Sequence, residues 1–158
     1  MIGYKDEFNY GLNKLKDEIL QFKDKAALWA KPGKTNNSPA NLTLHICGNL
    51  KHNIGAEIGQ NGYIRKRDVE FTAGNISREE IIAEIDSTID MIEPILDKLE
   101  EADINKPFPS DIHGKGQTIG SVLTKIALHL ATLSIAHAIQ IVFFASTIWF
   151  LLCKNSLW

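Results

Sequence analysis

Five histidines are spread through the chain, and most of them sit at spacings that helices use to build sites. His45, Asn49 and His52 are separated by four and three residues; His129, Leu133, His137 and Gln140 are separated by four, four and three. On a helix of about 3.6 residues per turn, each set falls on one stripe. If the two stripes face each other, imidazoles meet inside the fold. Zinc, nickel or iron held by imidazoles needs three converging donors, usually a His pair four residues apart and a third from a facing helix. His129 and His137 are separated by about 12 Å along a helix axis, too far to share one ion comfortably. The position midway between them, Leu133, has no donor atom. His45 with His137 is therefore the best available pair, and His45 with His129 the next. A histidine on an apolar helix face is also a common hydrogen-bonded core residue, and that reading stays open beside the metal one.

Other catalytic machinery is missing: there is no GxSxG, no phosphate-binding glycine loop and no HExxH. A second polar concentration, Arg65, Lys66, Arg67, Asp68, Glu70 and Phe71, lies in a connection from about 60 to 76 that lacks helical periodicity. Long connections in compact domains are usually functional or mobile. This one either lines a pocket mouth and holds an anionic group, with Arg65, Arg67 and Asp68 as binding residues, or is pinned by Arg–carboxylate pairs. Asn49, His52 and Gln140 complete the candidate binding set. His113, beside Gly114 in a polar loop, is surface by default.

The elements that must carry these residues read as helices. Phe8, Leu12, Leu15, Ile19, Phe22, Ala26 and Trp29 recur every three or four residues, predicting an amphipathic helix over about 4–29. Ser38-Pro39 supplies a cap and a first-turn proline for a second helix, ending near Gly59. Ser77 and Glu80 form a capping box for a third over about 77–100, in which Pro94 is expected to produce a kink near Asp90 and Met91. A fourth runs over about 118–152. No period-two alternation persists and no repeat is present. The expectation is an all-α fold: one domain over 1–158, a four-helix bundle with one long crossover connection.

Length and composition agree. The chain has 158 residues, 44% hydrophobic and 23% charged, enough for a core without disulfides. A formal charge of −2 with lysines mixed among acids gives no basic patch for nucleic acid. Cys47 and Cys153 fit no ligand spacing and read as free thiols in a reducing, cytoplasmic setting. The N-terminus lacks the apolar run of a secretory signal. The segment from Leu133 to Cys153 is long enough to span a bilayer, yet it contains His137 and Gln140, and three amphipathic helices upstream need an apolar partner. A membrane span is disfavoured on those grounds. Ile148, Trp149, Phe150, Leu151 and Leu152 are instead expected to overhang the shorter helices and pack on a second copy, making a homodimer.

The stretches W29-A-K-P-G33, N41-L-T-L-H45-I-C-G-N49-L, G62-Y-I-R65-K-R67-D68-V-E70-F71 and S77-R-E-E80 resemble the DinB-like (damage-inducible) four-helix family, which includes bacillithiol transferases and related metal-dependent thiol transferases or hydrolases. The resemblance covers residues 1 to about 132. It implies a zinc or nickel ion and a small thiol or electrophile as substrate. The family's last helix reads HLxxHLxYHxGQI, and metal is bound by its second and third histidines and by one from helix two. The resemblance thus places ligands at His45 and His137 and the glutamine at Gln140. The second histidine falls on Leu133 and the glycine on Ile139, so one of three ligands is replaced.

Overall fold

The computed structural model describes residues 3–31, 35–134 and 141. Among them the chain is helical throughout, with no β-strand; Pro107 and Thr118 form an isolated bridge. The elements are α1 (Tyr4–Gln21), α2 (Lys25–Trp29), α3 (Pro39–Leu50) with a π-helical continuation (Lys51–Ile58), α4 (Arg67–Thr72), α5 (Arg78–Leu96), α6 (Glu101–Ile104) and α7, described over 119–134.

The first predicted helix is two. Phe22 takes an extended conformation, and Asp24 accepts from the Ala27 N–H at 2.8 Å as the N-cap of α2. An aspartate side chain that can bond the backbone ahead of it favours starting a new helix over continuing an old one. The apolar stripe holds as far as Phe22, with Phe8, Leu12, Leu15 and Ile19 buried; beyond the break the register changes, so that Leu28 is buried while Ala26 is exposed and Trp29 half-buried.

The capping signals at Ser38 and Ser77 are both realised as reciprocal boxes. α3 does not continue as an α-helix to residue 58: from Lys51 the turns widen, and Gly59 N donates to Ile54 O, five residues back, at 2.8 Å. Such widened turns are uncommon and concentrate at functional sites. α5 is one segment through Asp90 and Met91 and stops two residues beyond the exposed Pro94, short of the expected end near 100. The long connection after the π-helix carries α4, six residues whose register a hydropathy pattern cannot reveal.

Ile46 and Leu50 of α3 and Ile54 of its π-helical continuation meet Ile81, Ile85 and Ile92 of α5, Leu12 and Leu15 of α1, and Val122, Leu123 and Leu130 of α7 in one buried core. α1 and α7 approach closely: a side chain at Gly11 would collide with Leu130. Tyr4 reinforces the same contact by donating its hydroxyl to Gly120 O at 3.3 Å. Cys47 is a free, buried thiol, and burial pushes its pKa up to about 12, so it is a packing residue. No helix among the described residues is long and apolar enough to cross a membrane. Ile148 to Leu152, Cys153 and the far part of the predicted last helix lie outside the described residues.

Candidate functional site

A buried side chain of α3 ties it to α4. Asn41, 2% exposed, is fixed at the first turn of α3 by Ser38, and its amide donates to Glu70 O at 3.0 Å and Ala73 O at 3.1 Å. These bonds satisfy carbonyls at the end of α4 that the short helix cannot pair internally. They also aim Glu70 at α3. Its carboxylate enters beside Gly48, at the place a Cβ would occupy.

Inside, the Glu70 carboxylate is held by a guanidinium fork: Arg65 Nε donates to Oε1 at 2.6 Å and Nη2 to Oε2 at 2.8 Å. His45 Nδ1 lies 2.9 Å from the same Oε2. Arginine has only donors, so both Glu70 oxygens act as acceptors and Oε2 also accepts from His45 Nδ1. That assignment leaves His45 Nε2 as the ring nitrogen turned toward α7. Arg65 Nη2 also sits 3.1 Å from Nδ1, two donors drawn together by the oxygen they share. All three side chains are largely buried, with 14% of Arg65 and His45 and 7% of Glu70 exposed.

Across the interface, from α7, His129 Nε2 stands 3.2 Å from His45 Nε2, with the rings edge to face. Burial first, then the neighbouring His45 and Arg65, lowers the His129 pKa below the usual imidazole value, so the ring is neutral near pH 7. Two imidazoles meeting through these nitrogens can share either a proton or a cation. Two nitrogens bound tetrahedrally to one zinc at about 2.0–2.1 Å would stand roughly 3.4 Å apart, close to what is seen. The carboxylate behind His45 fits the same reading, since metal-bound histidines usually donate their other N–H to such a group. Among the described residues, no cluster of three or more His, Cys, Asp or Glu side chains forms a complete metal site.

Between the two polar stripes, the pair described is His45 with His129. His137 and Gln140 lie outside the described residues; Leu133 is half-buried against the core. Arg65 belongs to the site as the clamp of Glu70, the arginine–carboxylate pinning that is one of the two readings of this connection. Arg67 is exposed and lies 5.3 Å over the Phe71 ring, which in turn packs 4.9 Å from His45. Asp68 is exposed and contributes its carbonyl to Thr72.

Asn49 and His52 point to a second cluster. Asn53 donates to Asn49 O at 2.9 Å and accepts from His113 Nε2 at 2.6 Å, and His52 Nε2 lies 3.7 Å from Glu57. His113 is thus not a plain surface residue; its ring is half-buried and edge-on to Phe108. Burial, Lys125 and His52 together lower its pKa. The residue that sequence reasoning underrated most is Glu70. Its five-residue separation from Arg65 follows no helical pairing rule, and only the Asn41 tether makes the pair.

A family model described as "Protein of unknown function (DUF1572)" matches residues 3–150, which takes in every residue of this site. No curated protein and no solved structure matches the chain significantly. With the match extending from α1 past the described part of α7, the chain belongs to the DUF1572 family of proteins of unknown function.

Proposed function

We propose that this protein is a DinB-like four-helix bundle with one long crossover, and that it acts as a metal-dependent thiol S-transferase or hydrolase with a weakened metal site. The observation that carries this reading is the His45–His129 pair, with its Nε2 atoms 3.2 Å apart and Glu70 behind His45. His45 and His129 would hold a zinc or nickel ion; His137, the ligand the resemblance implies, is eight residues from His129 and too far along a helix to share that ion comfortably. A bound divalent ion lowers the pKa of a thiol or water and so supplies a nucleophile at neutral pH. The chain's own part is to aim both imidazoles: Glu70 fixes the His45 ring through Nδ1 and α7 presents His129 opposite it. Leu133 in place of a ligand accounts for the weakening.

The test is metal analysis of protein purified without a histidine tag, followed by consumption of a small thiol with an electrophile. Stoichiometric zinc or nickel and metal-dependent thiol loss support the reading. Metal-free protein that takes up no ion at millimolar zinc or nickel overturns it.

A second reading, a non-catalytic homodimer, draws on the exposed apolar surface beside α1 and α7, where Tyr10 is 68% and Leu128 64% exposed. A stable dimer without metal would favour it.

A further inference from the structure

The charges around the His45–His129 pair do not balance. Arg65 is neutralised by Glu70 through two hydrogen bonds, and the imidazoles bring no negative charge. Arg67 is left over. It forms no ion pair with a carboxylate among the described residues, its neighbour Asp68 included. Nor is its guanidinium loose: it lies over Phe71, 5.3 Å from the ring centroid, within the range of a cation–π contact. Phe71 is half-buried and packs at 4.9 Å on His45. One aromatic ring thus holds an uncompensated, exposed cation beside the imidazole of the site.

We propose that Arg67, supported by Phe71, is a subsite for an oxyanion group, carboxylate or phosphate, on a small substrate whose reacting end lies at His45 and His129. A guanidinium stacked on an aromatic face keeps its N–H edge free, and that edge matches the paired oxygens of either group. The exposure of Arg67 suits a group that stays wet while the rest of the ligand goes inward. This subsite rests on the reading of the His pair as the reacting centre.

The experiment uses the full chain, metal-free, with ¹⁵N-labelled arginine and histidine. Propionate and methyl phosphate are titrated separately at constant ionic strength. Saturable shifts of both the Arg67 Nε–H and His45 ring resonances are expected. Arg67→Ala should weaken binding by about fivefold or more, and Arg67→Lys, which keeps a charge but loses the fork, by less. Phe71→Leu, folded by circular dichroism, should weaken it as well. Tighter binding of propionate assigns a carboxylate substrate; tighter binding of methyl phosphate assigns a phosphate monoester. Equal affinity of native protein and Arg67→Ala overturns the proposal, as do linear shifts in both. Movement of Arg67 without His45 overturns it too, because the anion would then be remote from the pair. Zinc added to the same sample separates the two claims. Zinc binding with no Arg67 dependence of the anion sinks only the subsite, whereas Arg67-dependent anion binding without zinc sinks only the metal reading.

Discussion

Glu70 Oε1 lies 2.2 Å from where the Cβ of any larger residue at Gly48 would stand. The carboxylate that orients His45 therefore depends on a missing side chain on the neighbouring helix. Ala is better than Gly in a helix interior by about 1 kcal/mol, but forcing a methyl group into a filled site costs about 1–3 kcal/mol. The collision falls on a carboxylate fixed by three hydrogen bonds, so it cannot swing aside freely. Gly48→Ala should accordingly destabilise the protein by roughly 1–2 kcal/mol in urea unfolding, against the sign of helix propensity.

Glu70→Gln keeps the shape and removes the charge. Arg65, with 14% of its side chain exposed, would then face a neutral amide, and breaking a buried pair from one side costs about 3 kcal/mol. Glu70→Gln with Arg65→Met, which removes both charges, should recover much of the loss. Chemical denaturation of the single and double variants measures both effects.

Leu133→His should strengthen zinc binding. Residue 133 is one turn from His129 on α7, and two imidazoles at that spacing can share an ion, with His45 opposite. An added ligand should tighten binding by at least about a hundredfold, or roughly 2.7 kcal/mol. Titration calorimetry on native protein and the folded variant checks it.

The apolar stripes and both serine caps were legible in the sequence, because local spacing and local hydrogen bonds determine them. The opposition of His45 and the last helix was legible as well, since each stripe has one face. Which histidine answers His45 was not. That depends on how far α7 slides along α3, which packing sets at Gly11 and Leu130 rather than any local pattern. Glu70 was hidden for a related reason: Asn41 orients α4 through bonds across about thirty positions of chain, so no rule for neighbouring residues could find them.

His113 gives the stability a pH dependence. Burial first, then Lys125 and His52, lowers its pKa in the folded protein, while Glu57 opposes the shift. The unfolded chain therefore binds its proton more readily than the native one. Stability is unaffected well above pH 6.5, the ordinary imidazole value, and falls as pH drops through it, levelling off below the depressed native pKa. His113→Gln should flatten the melting temperature between pH 7 and pH 5 relative to native protein, as read by thermal scans at matched ionic strength.

The most direct test of the paired imidazoles is a zinc titration of native protein, His45→Ala and His129→Ala, each purified without a tag. A complete structural site has an apparent binding free energy of order 10 kcal/mol or more, so a site short of one ligand should bind at micromolar affinity or weaker. Native protein is expected to take up one equivalent in that range, and each variant to bind at least about tenfold more weakly while remaining folded. Zinc affinity unchanged by both substitutions, or no saturable uptake by native protein, would contradict a metal site at His45 and His129.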